Sequence, residues 1–148
     1  MISKYFKETI LGEVFNISGY TNGIGSFYIA LGTNATTPSV VSGEITGFTE
    51  QSGNGYSRVE LGTGDLGLKS DGTIHNAVAI RFSPSTGAWS GKIKYWALFG
   101  KSNGSWVDNN KPLACGALVS PSERTVESGT TVIIRSDALT FSINDSVS

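Results

Sequence analysis

The apolar residues of this chain occur in short runs whose spacing changes once, near residue 26. Before that point they recur with the period of a helix, and after it they recur at every second position, as in strands. No run approaches the roughly 18 residues that a membrane-crossing helix needs. The pattern therefore predicts one small helical segment followed by a β domain.

The N-terminal segment has the pattern of a short amphipathic helix. Ser3 is placed to cap its first turn, and Lys4, Lys7 and Glu8 face away from the apolar stripe. The stripe consists of Ile2, Phe6, Ile10 and Val14. A helix this short is marginal alone in water, so the stripe must pack on its own domain or on a neighbouring subunit. We predict a docking helix over residues 1–18 and a β domain over residues 19–148, which together form a single domain.

The β domain is divided by Gly, Asn and Ser turns into alternating or fully apolar segments. The predicted strands lie at residues 27–31, 58–61, 74–82, 92–99, 113–119, 131–135 and 139–143. On the segment 74–82, Val78, Ile80 and Phe82 share one face, whereas residues 33–55 are predicted to form a long loop. Roughly seven to nine antiparallel strands indicate an all-β sandwich of the jelly-roll type.

Charge and cysteine content exclude several classes of function. The net charge is −1 and only 16% of residues are charged, without a basic cluster, so we expect no nucleic-acid partner. The start of the chain lacks the apolar core of a signal peptide, so we expect a soluble protein made in the cytoplasm, with no membrane partner. The single Cys115 has small apolar neighbours and is predicted to be a buried structural thiol.

Candidates for chemistry are few. His75 is the only histidine, and we predict a strand residue rather than a catalytic base. Residues 65–72 carry two aspartates beside glycines but lack the ligand rhythm of a calcium loop, so they are predicted to form a turn. We predict no catalytic residues, cofactor or metal, although a pair of carboxylates from separate strands, as in glycosidases, stays open.

The tryptophans are the best candidates for contacts with a partner. Trp96 lies in the most hydrophobic strand and is predicted to be core, whereas Trp89 and Trp106 lie beside turns and are predicted to be exposed. Exposed indole rings suit either a protein interface or the stacking of a sugar ring. The predicted interface residues are Ile2, Phe6, Ile10, Val14, Trp89 and Trp106.

The order of several segments resembles a family of small virion proteins of tailed bacteriophages, described as tail fibre-like or head decoration proteins. These segments are FYIAL at 27–31, GNGYSRV at 53–59, WALF at 96–99, LACGAL at 113–118, RTVESGT at 124–130 and ALTFSI at 138–143. The resemblance implies a non-enzymatic virion protein, first as a decoration protein on the outer capsid and alternatively as a tail-fibre module that recognises host glycans. A hydrolase acting on such glycans is a third hypothesis. The implied partners are the major capsid protein or tail components and further copies of the chain, for example in a trimer.

Overall fold

The computed structural model describes residues 1–7, 25–33, 35–119 and 122–142, and this part of the chain is nearly all β. Its strands are short and antiparallel. They are β1 (Ser26–Gly32), β2 (Ser39–Val41), β3 (Glu44–Thr46), β4 (Val59–Leu61), β5 (Leu66–Leu68), β6 (Thr73–Asn76), β7 (Ile80–Arg81), β8 (Tyr95–Ser102), β9 (Ser105–Trp106), β10 (Ala114–Ala117), β11 (Ile133–Ile134) and β12 (Thr140–Ser142). The all-β class is confirmed, while the two-layer jelly-roll arrangement stays a prediction.

The largest sheet has the order β10-β8-β1-β4, with β9 paired to β8. The predicted strand at 27–31 forms β1, which lies inside this sheet and pairs with β8 along its whole length. The outer edge of β10 is covered by the N-terminus, because Ile2 bridges to Ala114 and the Ser3 amide donates to the Leu113 carbonyl at 2.7 Å. The first residues of the chain thus extend this sheet.

Both faces of the central strands are covered by other parts of the chain. One face supplies Ile29, Leu31, Trp96 and Leu98 to the main core. The opposite face carries a smaller cluster of Ala30, Ile45, Ala97, Phe99 and Cys115, with Phe48 and Trp106 packed against it. Burial on both sides explains why β8 is apolar at consecutive positions rather than at alternate ones.

The predicted helix begins where expected. Residues 4–7 are helical, and the Ser3 hydroxyl caps them by accepting the Phe6 amide hydrogen at 3.1 Å. Phe6 packs at 6.0 Å from the Phe27 ring and 6.4 Å from the Phe141 ring, measured between ring centroids. Ile10 and Val14 lie outside the described residues, as does most of the predicted segment 1–18. Among the described residues, no helix is long and apolar enough to span a bilayer.

The prediction of one strand over residues 74–82 is wrong. The chain turns between β6 and β7, and Val78 is 45% exposed instead of facing the core. The cause is Asn76, which is fully buried. Its side-chain amide forms hydrogen bonds to groups outside the strand pairing. Its Nδ2 donates to the carbonyls of Val78 at 2.9 Å and Arg135 at 2.7 Å, and its Oδ1 accepts from the Leu139 amide at 2.9 Å.

The predicted loop over residues 33–55 contains a hairpin. Strands β2 and β3 are joined by Ser42 and Gly43, which have φ values of 52° and 83°. Two consecutive positive φ angles form the tight turn that suits the twist of a hairpin. The hairpin places Ile45 in the smaller cluster. With twelve strands in the described residues, the predicted strand number was too low, because segments this short leave little periodicity to read.

Candidate functional site

The most concentrated group of polar and aromatic side chains lies at one end of the large sheet, on the face of the smaller cluster. Arg58, immediately before β4, places its guanidinium 3.6 Å from the centroid of the Phe99 ring and 4.4 Å from that of Trp106. A planar cation over two aromatic faces is attracted by their negative charge density. Arg58 therefore closes this end of the cluster.

Glu50 fixes the orientation of the arginine. Its carboxylate accepts the Arg58 Nε hydrogen at 2.9 Å and an Nη2 hydrogen at 2.7 Å, which is the bidentate geometry preferred by this pair. Arg58 Nη2 also donates to the Asn109 carbonyl at 2.9 Å. Three separate segments, at residues 50, 58 and 109, are therefore held together by one guanidinium.

Tyr56 extends this network into the sheet. Its hydroxyl donates to Glu50 at 2.7 Å and accepts the Leu31 amide hydrogen at 3.0 Å. Burial, and then the negative charge of Glu50, raise the pKa of the Tyr56 phenol well above its usual value. Tyr56 is therefore a neutral structural donor and not an acid–base group at physiological pH.

A second cation–aromatic group adjoins Arg58. The ring centroids of Tyr28 and Trp106 are 4.8 Å apart, and Lys101 Nζ lies 4.9 Å from the first and 4.6 Å from the second. Strand register causes this meeting, because Lys101 is paired with Trp106 across β8 and β9, and Tyr28 with Phe99 across β1 and β8. The Asn103-Gly104 turn, with φ values of 50° and 79°, sets the β8–β9 register.

An open groove of ≈ 410 Å³ runs beside these groups. Its polar groups include exposed amides and hydroxyls, and Tyr56 and Trp106 are its partly buried aromatic residues. It is lined by Glu50, Gln51, Ser52, Gly53, Tyr56, Ser57, Arg58, Trp106, Asn109 and Asn110. We call this feature the Trp106 groove. An indole ring beside amide, hydroxyl and carboxylate groups can stack on a sugar ring and hydrogen-bond its hydroxyls.

The predicted interface residues do not form one surface. Ile2, Phe6 and Trp89 are buried in the main core of the chain, with exposed fractions of 0%, 5% and 5%. The expectation that Trp89 is exposed is therefore wrong, since its indole Nε1 donates to the Asn54 carbonyl at 3.2 Å and its ring packs edge-on against Tyr56. Of the four that the structure describes, only Trp106 lies at the groove. Ile10 and Val14 are outside the described residues.

His75 and Cys115 have structural surroundings. His75 Nδ1 lies 2.6 Å from Asp137 Oδ1, which also pairs with Lys69 Nζ at 3.0 Å, and its Nε2 faces Gly67 on the adjacent strand. Cys115 is buried as predicted, and burial raises the pKa of its thiol to about 11. Trp96 is core as predicted, at 2% exposure.

Residues 65–72 form strand β5 and a turn that the aspartates stabilise. Asp65 accepts the Gly62 amide hydrogen at 2.7 Å, and Asp71 accepts that of Thr73 at 2.9 Å. Within the described ranges, no three His, Cys, Asp or Glu side chains meet in a way that could hold a metal ion.

Comparison with known families gives a match. The chain matches, over residues 1–142, the family model described as podophage GP4 fiber I protein gp80. The chain belongs to this family. Members of the gp80 fibre family are structural components of phage fibres, so the chain is a virion protein of the fibre-like type that its sequence resembles. Comparison with curated proteins gives no match.

Proposed function

We propose that this chain is a non-enzymatic subunit of a podophage fibre that binds a glycan of the host surface in the Trp106 groove. The observation that carries the fibre assignment is the family match over residues 1–142. It supports the fibre hypothesis over capsid decoration, which the sequence favoured first. The partners are then other tail components and further copies of the chain, assembled after synthesis in the host cytoplasm.

The Trp106 groove supports the glycan part of the proposal. The Trp106 ring contacts the rings of Phe99 and Tyr28, and the Arg58 and Lys101 cations lie over it, so its orientation is set before any ligand arrives. A site whose groups are already fixed loses less conformational entropy on binding. The exposed side chains of Ser57, Asn109 and Asn110 lie at the same groove and supply hydrogen-bonding groups without net charge.

The fibre assignment is tested by the copy number and position of the chain in intact particles. Quantitative mass spectrometry against the major capsid protein gives the stoichiometry, and immunogold labelling gives the location. We expect a few copies per particle, at the tail. Hundreds of copies distributed over the head would overturn the fibre proposal and support capsid decoration.

The glycan site is tested by Trp106→Ala, measured on an array of host-surface polysaccharides and then by titration calorimetry. We expect roughly a tenfold or greater loss of affinity, as found when a central aromatic contact is removed. Tyr5→Ala is the matched control, because Tyr5 is 48% exposed and lies outside the groove. Circular dichroism must show both variants folded. Unchanged binding by folded Trp106→Ala would reject the site, and cleavage of the bound polysaccharide would reject the non-enzymatic assignment.

A further inference from the structure

Two further grooves lie elsewhere on the chain and share no residue with the Trp106 groove. One, of ≈ 500 Å³, is lined by Glu123, Arg124, Thr125, Thr131, Ile133 and Arg135. The other, of ≈ 250 Å³, is lined by Val119, Arg124, Arg135, Ser136, Asp137 and Ala138. Arg124 and Arg135 line both, so these two residues lie where the two grooves meet.

The two arginines have no acidic partner among the residues that the structure describes. The Arg124 side chain donates one hydrogen bond within the described residues, from Nη1 to the Ile133 carbonyl at 2.8 Å. Its Nε is buried and has no acceptor within the described ranges. Arg135 is exposed, and from the described part of the chain its backbone carbonyl accepts hydrogen bonds from Asn76 and Ala138, while its guanidinium has no partner there. Both side chains therefore keep donors for an external acceptor, and a buried unpaired donor is costly until one is supplied.

The two acidic residues that line the same grooves are already paired with cations. Glu123 accepts a hydrogen bond from Lys92 at 2.7 Å, and this contact lowers the pKa of its carboxyl. Asp137 is paired with Lys69 and lies against His75 on its other side. Because each carboxylate is balanced by a cation outside the grooves, the charges of Arg124 and Arg135 remain uncompensated. The junction is therefore positive in a protein whose net charge is −1.

We propose that Arg124 and Arg135 form a binding site for an oxyanion, either a carboxylate or a phosphate group. The planar fork of arginine matches both groups, and two such forks at one junction can engage separate oxygens of one anion. The Thr125 and Thr131 hydroxyls lie in the larger groove and can donate to the same group. Acidic sugars and phosphorylated polymers carry these groups, so the site can act whether or not the Trp106 groove binds a neutral glycan.

The test uses the Nε–H signals of the full-length chain in ¹H–¹⁵N spectra, because the sequence contains only four arginines. The probes are inorganic phosphate and glucuronate, with glucose as the uncharged control at equal ionic strength. We expect saturable shifts of the Arg124 and Arg135 signals with the anions and none with glucose. The Arg58 and Arg81 signals should stay in place. Equal drift of all four signals, or no saturation, would overturn the proposal.

Arg135→Gln gives a direct check with little risk to folding, because this side chain is exposed. We expect it to weaken anion binding roughly tenfold or more, as for the loss of a charge-assisted hydrogen bond. Arg81→Gln, at an exposed position on β7, is the matched control and should bind as the wild type does. Equal affinity for Arg135→Gln and Arg81→Gln would reject the site. Glucuronate and phosphate titrations distinguish the two anions, and Trp106→Ala should leave both unchanged.

Discussion

Replacing Arg58 by Met tests whether the cation over Phe99 and Trp106 holds this end of the sheet together. The substitution removes two hydrogen bonds to Glu50 and one to the Asn109 carbonyl, while Met keeps most of the volume and its sulfur still contacts the rings. The expected loss of stability therefore comes from the lost hydrogen bonds and charge interactions, and not from a cavity.

The expected loss of stability depends on how deeply the Arg58–Glu50 pair is buried. Breaking a fully buried pair costs about 3–5 kcal/mol, and exposed pairs contribute about 0–1 kcal/mol. The side chains of Arg58 and Glu50 are 11% and 25% exposed, so this pair lies nearer the buried limit, and Tyr56 still donates to the orphaned carboxylate. We expect Arg58→Met to lower the free energy of unfolding by about 2–3 kcal/mol. For a domain of this size, that corresponds to a decrease in Tm of roughly 5–10 °C.

The assay is urea denaturation followed by tryptophan fluorescence, with a double-mutant cycle that includes Glu50→Ala. The cycle should give a coupling of about 1–2 kcal/mol between the two side chains. Lys111→Met is the matched control, because it breaks the Lys111–Glu44 pair, whose side chains are 45% and 56% exposed. No resolvable change in the free energy of unfolding is expected for Lys111→Met. The reasoning fails if Arg58→Met is as mild as Lys111→Met, or if the cycle is additive.

Three further predictions use the same structure. Gly116→Ala should lower stability by about 1–3 kcal/mol in urea denaturation, because its Cβ would lie 2.8 Å from the buried Trp96 ring, whereas Gly62→Ala, with its nearest atom at 3.5 Å, should be tolerated. Cys115 should react with a thiol reagent at pH 8 far more slowly in the native protein than in urea, because burial raises its pKa to about 11; equal rates would contradict this. Asp137→Asn should flatten the acid side of the stability–pH curve. The adjacent lysine ammonium lowers the pKa of Asp137, so this carboxylate stabilises the fold above the unfolded value of roughly 3.9, and its contribution is lost as the pH falls through the lowered pKa. An unchanged acid limb in thermal melts at several pH values would rule this out.

The fold class could be predicted because local chemistry and burial agree in the long strands. The segment 27–31 is apolar throughout, and it forms a strand inside the large sheet. Strand boundaries were harder to predict where a single side chain outweighs the alternating pattern. In the alternation of residues 74–82, Asn76 has the position of an ordinary strand residue. Its buried side-chain amide, however, forms hydrogen bonds with Val78, Arg135 and Leu139, and the chain turns there. Such a role depends on partners about 60 residues away, as with the Asn76–Arg135 bond at a separation of 59.

The groove was only partly predictable for a similar reason. Trp106 was singled out as a tryptophan beside a turn, whereas nothing marked Arg58 or Glu50 as a pair. Their contact arises because both segments pair with β1: Glu50 bridges to Gly32, and β4, which directly follows Arg58, is paired with β1. Spacing along the chain does not show this. Trp89 has the same local signal as Trp106 but is buried. Proximity to a turn therefore does not distinguish an exposed ring from a core ring.

The arginine at position 58 connects the stability of this end of the sheet with the shape of the Trp106 groove. An aliphatic side chain over Phe99 would bury the cluster equally well, but it could not hold the Glu50 carboxylate and the Asn109 carbonyl at the same point. Arginine does both, since its flat face covers the ring while its edge donates to the two loops. The loops that carry the polar lining of the groove are thus fixed by the same group that supports Trp106. A groove built in this way is held by the chain's own side chains, so the proposed glycan site would be ordered before a ligand binds.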